Sequence, residues 1–288
     1  MTQGDDLDVF EAHRTQLFSM VYRMLGSISE AEDVVQETYL RFHQQPKSTI
    51  SNPAGWLTSV AMRVALDQLR LAYRHREQYV GDWLPEPLIV DNNPEQEKLL
   101  SQSLTMAFLH MMERLNPRER AVFILRKAFD WSYREIAATV GINEAAGRQL
   151  YRRSLGKMEG VDLTPSTTRD DMHLFDEFMA TCASGDFTAL AGKLAADVTV
   201  YSDSNGQERA LRRPIFGNER VAHFLLRLLK NQPDGVRLEK RLLNSEPGLL
   251  VLDGQRVVTA LVFSFRSGKL WRLYSIRNPE KLTALASE

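Results

Sequence analysis

Arg148, Gln149, Arg152 and Arg153 sit in a stretch, Ala145 to Met158, whose cations are these three arginines and Lys157 and which contains no acid. Arginine and glutamine can each make paired hydrogen bonds to base edges in the major groove, worth about 1–3 kcal/mol of discrimination per good pair. At helical spacing Ala145, Arg148, Gln149 and Arg152 share one face, at i, i+3, i+4 and i+7. Tyr151, Leu155 and Met158 fall on another face that can pack inward. The chemistry on offer is sequence-specific contact with duplex nucleic acid. A solvated basic face on a helical bundle would have the same composition, so the neighbouring elements decide.

Three helices are expected around that face. Asn116 as N-cap, Pro117 at the first helical position and Glu119 three residues after the cap open the first. Ser132 and Glu135 form an S-x-x-E capping box for the second. Gly141 permits a left-handed turn, and Asn143 caps the third helix, which carries the arginines. Helix, glycine turn, helix is the helix-turn-helix plan, whose last helix enters the major groove.

A second polar constellation lies upstream, on a long helix expected from Asn52–Pro53 towards Gln78. Arg63, Asp67, Arg70 and Arg74 form a stripe between two apolar flanks, Met62/Leu66/Leu69/Tyr73 and Leu57/Val60/Val64. Its cationic end suits phosphates, and Trp56 either packs in the core or stacks on a base. The preceding helix, expected to start at a Ser29–Glu32 capping box, shows Asp33, Gln36, Glu37 and Leu40 with Arg41 alongside. An exposed leucine among acids fits a protein-docking surface, and a Glu37–Arg41 ion pair on an ordinary surface accounts for the same residues. Leu17, Val21, Met24, Leu25 and Ile28 mark the helix before it.

The chain has 288 residues, 43% of them hydrophobic and 25% charged, which points to two or three globular domains. Its formal net charge of −1 means that nucleic-acid binding must come from local patches. A single cysteine, Cys182, excludes an internal disulfide and a cysteine-based zinc site, and the histidines show no metal-ligand spacing. No apolar run is long enough to span a membrane and the start is acidic, so a cytoplasmic protein is expected. Nothing calls for a cofactor or a metal.

Four blocks follow one another. Residues 6–80 are helical, 81–97 form a proline-rich linker, 98–160 hold the helix-turn-helix, and 168–284 change character. The last block opens with two helices and a strand, VTVYSD, followed by another helix. A meander of antiparallel strands closes it, with turns at Asp253-Gly254 and Ser267-Gly268.

AEDVVQETYLRF (31–42) and NPAGWLTSVAMRVALDQLR (52–70) closely resemble region 2 of the extracytoplasmic-function sigma factors, and residues 115–153 resemble their region 4. The resemblance implies that region 2 docks on the β′ clamp of RNA polymerase and melts and reads the −10 element. Region 4 would contact the β flap and read the −35 element. By position it implies polymerase docking by Asp33, Gln36, Glu37, Leu40 and Arg41. It implies a −10 reader made of the loop 48–52, ending at Asn52, with Trp56, Arg63, Asp67, Arg70 and Arg74. The −35 reader would be Ala145, Arg148, Gln149, Arg152 and Arg153. Gly147 replaces a usually apolar residue, which costs roughly 1 kcal/mol of helix stability and leaves less packing under the helix. Arg63-Val64 replaces an Arg-Asn pair common in this helix.

Trp83-Leu84-Pro85-Glu86-Pro87 matches the WLPEP signature of members that carry a C-terminal SnoaL-like domain. Asn278-Pro279-Glu280-Lys281-Leu282 matches their NPDKL-type motif, whereas Asp203-Ser204-Asn205-Gly206-Gln207 keeps little of their DGGGK loop. The resemblance implies regulatory interdomain contacts through these residues. The expected architecture is multidomain, with two all-α sigma domains followed by an α+β NTF2-like cone. Expected partners are RNA polymerase core and promoter DNA, with room in the cone for a small hydrophobic ligand and no membrane. One rival is a DNA-binding regulator with a ligand-sensing cone. The other is an enzyme using Asp203, His223 and Tyr201, although their spacing asks for no chemistry.

Overall fold

The computed structural model describes residues 3–76, 79–89, 105–158, 168–231 and 235–285. The second half of the linker, the joint after the helix-turn-helix and the side chain of Arg74 lie outside the described residues. The chain forms two compact units, one of Met1–Gln78 with Leu109–Val161 and the other of Tyr79–Phe108 with Asp162–Glu288.

The first unit is all helical. Helix α1 (Gln3–Leu25) ends at Gly26, whose φ of 71° is cheap only for glycine. Helix α2 (Ile28–Gln44) therefore begins at once, capped by Ser27, whose hydroxyl accepts the Glu30 N–H. The expected cap at Ser29 is two residues late, and Ile28 belongs to α2 rather than α1. Helix α3 (Pro53–Arg76) starts where the Asn52 side chain accepts the Gly55 N–H at 3.1 Å. After α4 (Met106–Met112), helices α5 (Pro117–Lys127) and α6 (Tyr133–Val140) both carry complete capping boxes, Asn116/Glu119 and Ser132/Glu135. Gly141 closes α6 at φ 72°, and the Asn143 side chain caps α7 (Glu144–Lys157).

The two helical sets share a core that contains a buried charge network. Arg120, 1% exposed, donates to the Met24 carbonyl (2.9 Å), the Met112 carbonyl (2.6 Å) and Glu113 Oε1 (2.7 Å). Arg76 donates to Glu113 Oε2 (2.5 Å) and to the Leu25 carbonyl (2.7 Å). Burial alone would raise the Glu113 pKa, but the two guanidiniums outweigh it and hold the carboxyl below its ordinary value.

The second unit is an α+β cone. Its elements are α8 (Thr168–Ser184), α9 (Phe187–Lys193), β1 (Leu194–Asp203), β2 (Ile215–Phe216), α10 (Asn218–Lys230), β3 (Val236–Leu243), β4 (Glu246–Asp253), β5 (Arg256–Arg266) and β6 (Lys269–Ile276). The sheet order is β2-β1-β6-β5-β4-β3. Strands β3 to β6 are the expected meander, but β1 lies parallel to β6, so the sheet is mixed rather than wholly antiparallel. Phe175 and Phe178 of α8 pack against Phe263 of β5 at the centre of the core. The linker and the first residues of α4 belong to this unit: Leu84, Met106 and Ala107 are buried in the cone's own core. Residues 88 and 89 run along the sheet edge, where the Asn244 N–H donates to the Leu88 carbonyl (2.8 Å) and Ile89 bridges Leu243.

Candidate nucleic-acid interface and linker clasp

On α7, Ala145, Arg148, Gln149, Arg152 and Arg153 are all exposed, as the spacing predicts. The Arg148 guanidinium lies 5.7 Å above the Tyr133 ring, which also carries Arg126 at 5.4 Å, and Arg148 pairs with Glu144 at 3.3 Å. The inward stripe differs from expectation. Met158 is buried and Tyr151 half-buried, but Leu155 is 44% exposed, and Gly147 and Ser154 are the buried residues beside them. Gly147 therefore faces the core. A Cβ there would meet Tyr133 at 3.6 Å and Ile142 at 3.8 Å, which is ordinary contact. The packing it forgoes is one methyl group.

On α2, Asp33, Gln36, Leu40 and Arg41 are exposed and Glu37 is half-buried. Arg41 does pair with Glu37, at 2.5 and 3.0 Å, and Leu40 is 50% exposed beside the pair. A groove of about 260 Å³ runs alongside, lined by Leu7, Phe10, Val35, Gln36 and Tyr39.

Three of the expected −10 residues come together. Asn52, Trp56 and Arg63 line one wall of a cleft of about 810 Å³, and Phe129, Trp131, Glu135 and Thr139 line the other. Trp56 is half-buried with its ring 5.7 Å from Phe42, so it serves the core and the cleft at once. Arg63 reaches across to the carbonyls of Thr139 and Ala138, both at 3.4 Å, at the C-terminal end of α6, where helix carbonyls lack partners. Asp67 and Arg70 do not line this cleft; they pair with each other at 2.8 Å in solvent. Val64 is 8% exposed, so the position that usually holds asparagine faces the core here.

The WLPEP and NPEKL segments meet at Asp203. Its Oδ2 accepts from Lys281 Nζ (2.6 Å) and from the Leu84 N–H (2.9 Å), and its Oδ1 accepts from the Tyr79 hydroxyl (2.5 Å). Lys281 also donates to the Leu84 carbonyl and lies 3.9 Å above the Trp83 ring. The Asn278 side chain donates to the Tyr79 oxygen (2.9 Å) and caps the turn at Glu280 (3.1 Å). Pro85, Pro87 and Leu282 are buried, while Pro279 and Glu86 are partly exposed. Gly206, at φ 71°, lies close under Val80, and Gln207 donates to Glu280 at 3.4 Å. Tyr79 completes the clasp, although a lone aromatic at the start of a linker carries no signal in the sequence. Burial and the adjacent Asp203 carboxylate both drive its hydroxyl well above the usual tyrosine range, and the same two causes raise Asp82.

The residues suggested for catalysis have separate partners. Asp203 is taken up by the clasp, Tyr201 stacks on Tyr274 (5.6 Å), and His223 is exposed against Phe187 (4.4 Å). Among the described residues no His/Cys/Asp/Glu cluster could hold a metal, and no helix is long and apolar enough to cross a membrane.

Comparison with known proteins agrees with this geometry. Residues 9–75 match the Sigma-70 region 2 family and residues 105–158 match Sigma-70, region 4. The chain is 34% identical to the ECF RNA polymerase sigma factor SigJ of Mycobacterium tuberculosis (strain H37Rv), over 96% of this chain and 93% of that protein. It is 29% identical to the probable ECF RNA polymerase sigma factor SigI of M. tuberculosis (strain CDC 1551), over 100% and 99% of the two chains. The crystal structure of M. tuberculosis SigJ superposes with a TM-score of 0.78 at 31% identity, covering 96% of this chain and 98% of that one. With both sigma regions matched in order and the likeness running through the cone, this chain belongs to the extracytoplasmic-function RNA polymerase sigma factors.

Proposed function

We propose that this protein recruits RNA polymerase core to promoters that carry paired −10 and −35 elements, and that its own cone regulates that activity. The observation that carries the reading is the exposed row Arg148, Gln149, Arg152 and Arg153 on a helix-turn-helix with every cap in place. In this reading the row, with Ala145, reads the −35 element. Asn52, Trp56 and Arg63, continued by Asp67, Arg70 and Arg74, engage the −10 element, and Asp33, Gln36, Glu37, Leu40 and Arg41 dock on the polymerase. The cleft wall formed by α6 occupies the space beside Asn52, Trp56 and Arg63, so a −10 strand competes with the Arg63–α6 contact. The buried clasp, which ties the linker to the cone, is the regulatory contact.

Run-off transcription with core polymerase on a library of upstream fragments tests this directly. Discrete new start sites sharing two spaced motifs are expected, and a chain cut near Arg169 should start from the same sites in larger amount. Absence of start sites from both forms, with no binding to core, would overturn the reading.

A further inference from the structure

Helix α10 has two faces of opposite character. Val221, Ala222 and Leu225 are buried against the cone. Arg220, His223, Arg227 and Lys230, spaced 3, 4 and 3 residues apart, are all exposed and share an arc of about 80° on the opposite side. The segment leading into the helix adds Arg209, Arg212 and Arg213, also exposed. From Gly206 to Asn231 there are six Lys and Arg (209, 212, 213, 220, 227, 230) against two acids, Glu208 and Glu219, in a chain whose net charge is −1. Elsewhere in the cone Lys193 pairs with Glu177, Lys240 with Asp176 and Arg266 with Asp197, and Arg237 and Arg241 share Glu239, whereas Arg256 and Lys269 stand exposed at hairpin ends. Arg212, Arg213, Arg220, Arg227 and Lys230 have no ion pair among the described residues. A concentrated, unneutralised row on one helix face and the segment leading into it is the electrostatic footprint of a polyanion site.

We propose that this ridge binds the phosphate backbone of duplex DNA. From Arg220 to Lys230 the helix rises roughly 15 Å, a length of duplex that carries about nine phosphates. The ridge presents ammonium and guanidinium groups without the Arg/Gln/Asn row that reads base edges, so the contact is sequence-independent and positions rather than specifies. It rests on the promoter-recognition reading only for the choice of DNA over other polyanions, because a promoter-bound chain holds its cone at high local concentration of duplex. It supplies a third attachment to DNA, separate from the −10 and −35 readers.

The test is fluorescence anisotropy of the full-length chain with a labelled 40-base-pair duplex of arbitrary sequence, without polymerase, across a salt series. R220E/R227E is compared with R256E/K269E, a charge-matched reversal at exposed hairpin ends of the same cone. Both are made in an R148A/R152A/R153A background, so that the recognition helix contributes little, and folding is checked by circular dichroism. The expected result is a ridge-specific loss of affinity and a fall of about 2 in the slope of log K against log salt, at about 0.9 per phosphate contact. Equal loss in both variants, no loss in either, or loss confined to a duplex RNA of the same length would overturn the proposal. Since polymerase is absent, this outcome is independent of the transcription test, and a failure of either reading is seen separately.

Discussion

The clasp at Asp203 makes a quantitative prediction. Asp203 is 0% and Lys281 7% exposed, and their 2.6 Å contact lies where water cannot replace either partner. Removing one member of such a pair strands the other charge and costs about 3–5 kcal/mol, whereas replacing both by neutral groups is close to neutral. Lys281→Met leaves the carboxylate with only the Tyr79 hydroxyl and the Leu84 N–H. Asp203→Asn leaves the ammonium with the Leu84 carbonyl and the Trp83 face. The Leu84 N–H is itself the reporter, because it donates to Asp203. Hydrogen exchange of the peptide spanning residues 79–89 should accelerate roughly a hundredfold or more in each single variant, since 1.4 kcal/mol is about a factor of ten. The double variant D203N/K281M should regain most of that protection. Single variants that change exchange less than threefold, or effects that simply multiply in the double, would refute the claim that a desolvated ion pair holds the linker to the cone.

Three further outcomes follow from single sites. Glu246 accepts the Met106 N–H at 2.6 Å, and burial pushes its carboxyl up to about 7, with Asp171 adding to the rise and the Met106 N–H opposing it. A raised folded value means full stability below the ordinary value of 4.5 and a loss as pH rises through about 7, on the order of 3 kcal/mol. Urea unfolding between pH 5 and 8.5 should show that slope in the native chain and lose it in Glu246→Gln. Gly147→Ala should raise the melting temperature of the helical unit, by up to about 1 kcal/mol of stability, because its Cβ meets only ordinary contacts; a lower melting temperature would show that the helix must move there. Tyr133→Leu removes the ring beneath Arg148 and Arg126, each contact worth about 0.5–1 kcal/mol when exposed. It should weaken −35 duplex binding two- to fivefold in an electrophoretic shift assay.

Structure set by near neighbours is legible in this sequence, and pairings between distant residues are not. The caps at Asn116, Ser132 and Asn143 and the Gly141 turn depend on neighbours three or four residues away, and all are present. Two S-x-x-E frames overlap ahead of α2, Ser27–Glu30 and Ser29–Glu32, and local pattern does not choose between them; the left-handed Gly26 selects the first by ending α1 there. Leu155 is exposed although apolar, because hydrophobicity alone does not mark burial on a helix this polar. The inward stripe is 147, 151, 154, 158, where small Gly147 and Ser154 let α7 approach its neighbours closely. The parallel β1–β6 pairing joins strands some seventy residues apart, and no local pattern encodes it. The two clasp motifs were found by resemblance alone, and their meeting point on Asp203 is a tertiary fact: Leu84 and Lys281 are 197 positions apart.

Among the described residues, the hydrogen bonds between regions 2 and 4 fall at two places of different strength, and that difference sets how the first unit opens. At the cleft mouth, Arg63 makes two long 3.4 Å contacts to α6 and Ser59 meets Thr139 at 3.3 Å, all at or near solvent. Such bonds are each worth well under about 1 kcal/mol. Deeper in, Arg120 and Arg76 enclose Glu113 and reach the carbonyls of Met24 and Leu25 at the end of α1. Removing a buried charged partner there costs about 3–5 kcal/mol. The cleft is therefore the side that yields first, while the Arg120 network resists separation. Arg63→Ala should leave the unfolding midpoint almost unchanged yet increase the separation of dyes placed at Ser51 and Asp130, on opposite walls of the cleft. Arg120→Met should lower the midpoint sharply. If Arg63→Ala destabilised the unit as much as Arg120→Met, or left the dye distance unchanged, the mouth would not be the weak side. The proposed path of a −10 strand past Arg63 would then fall.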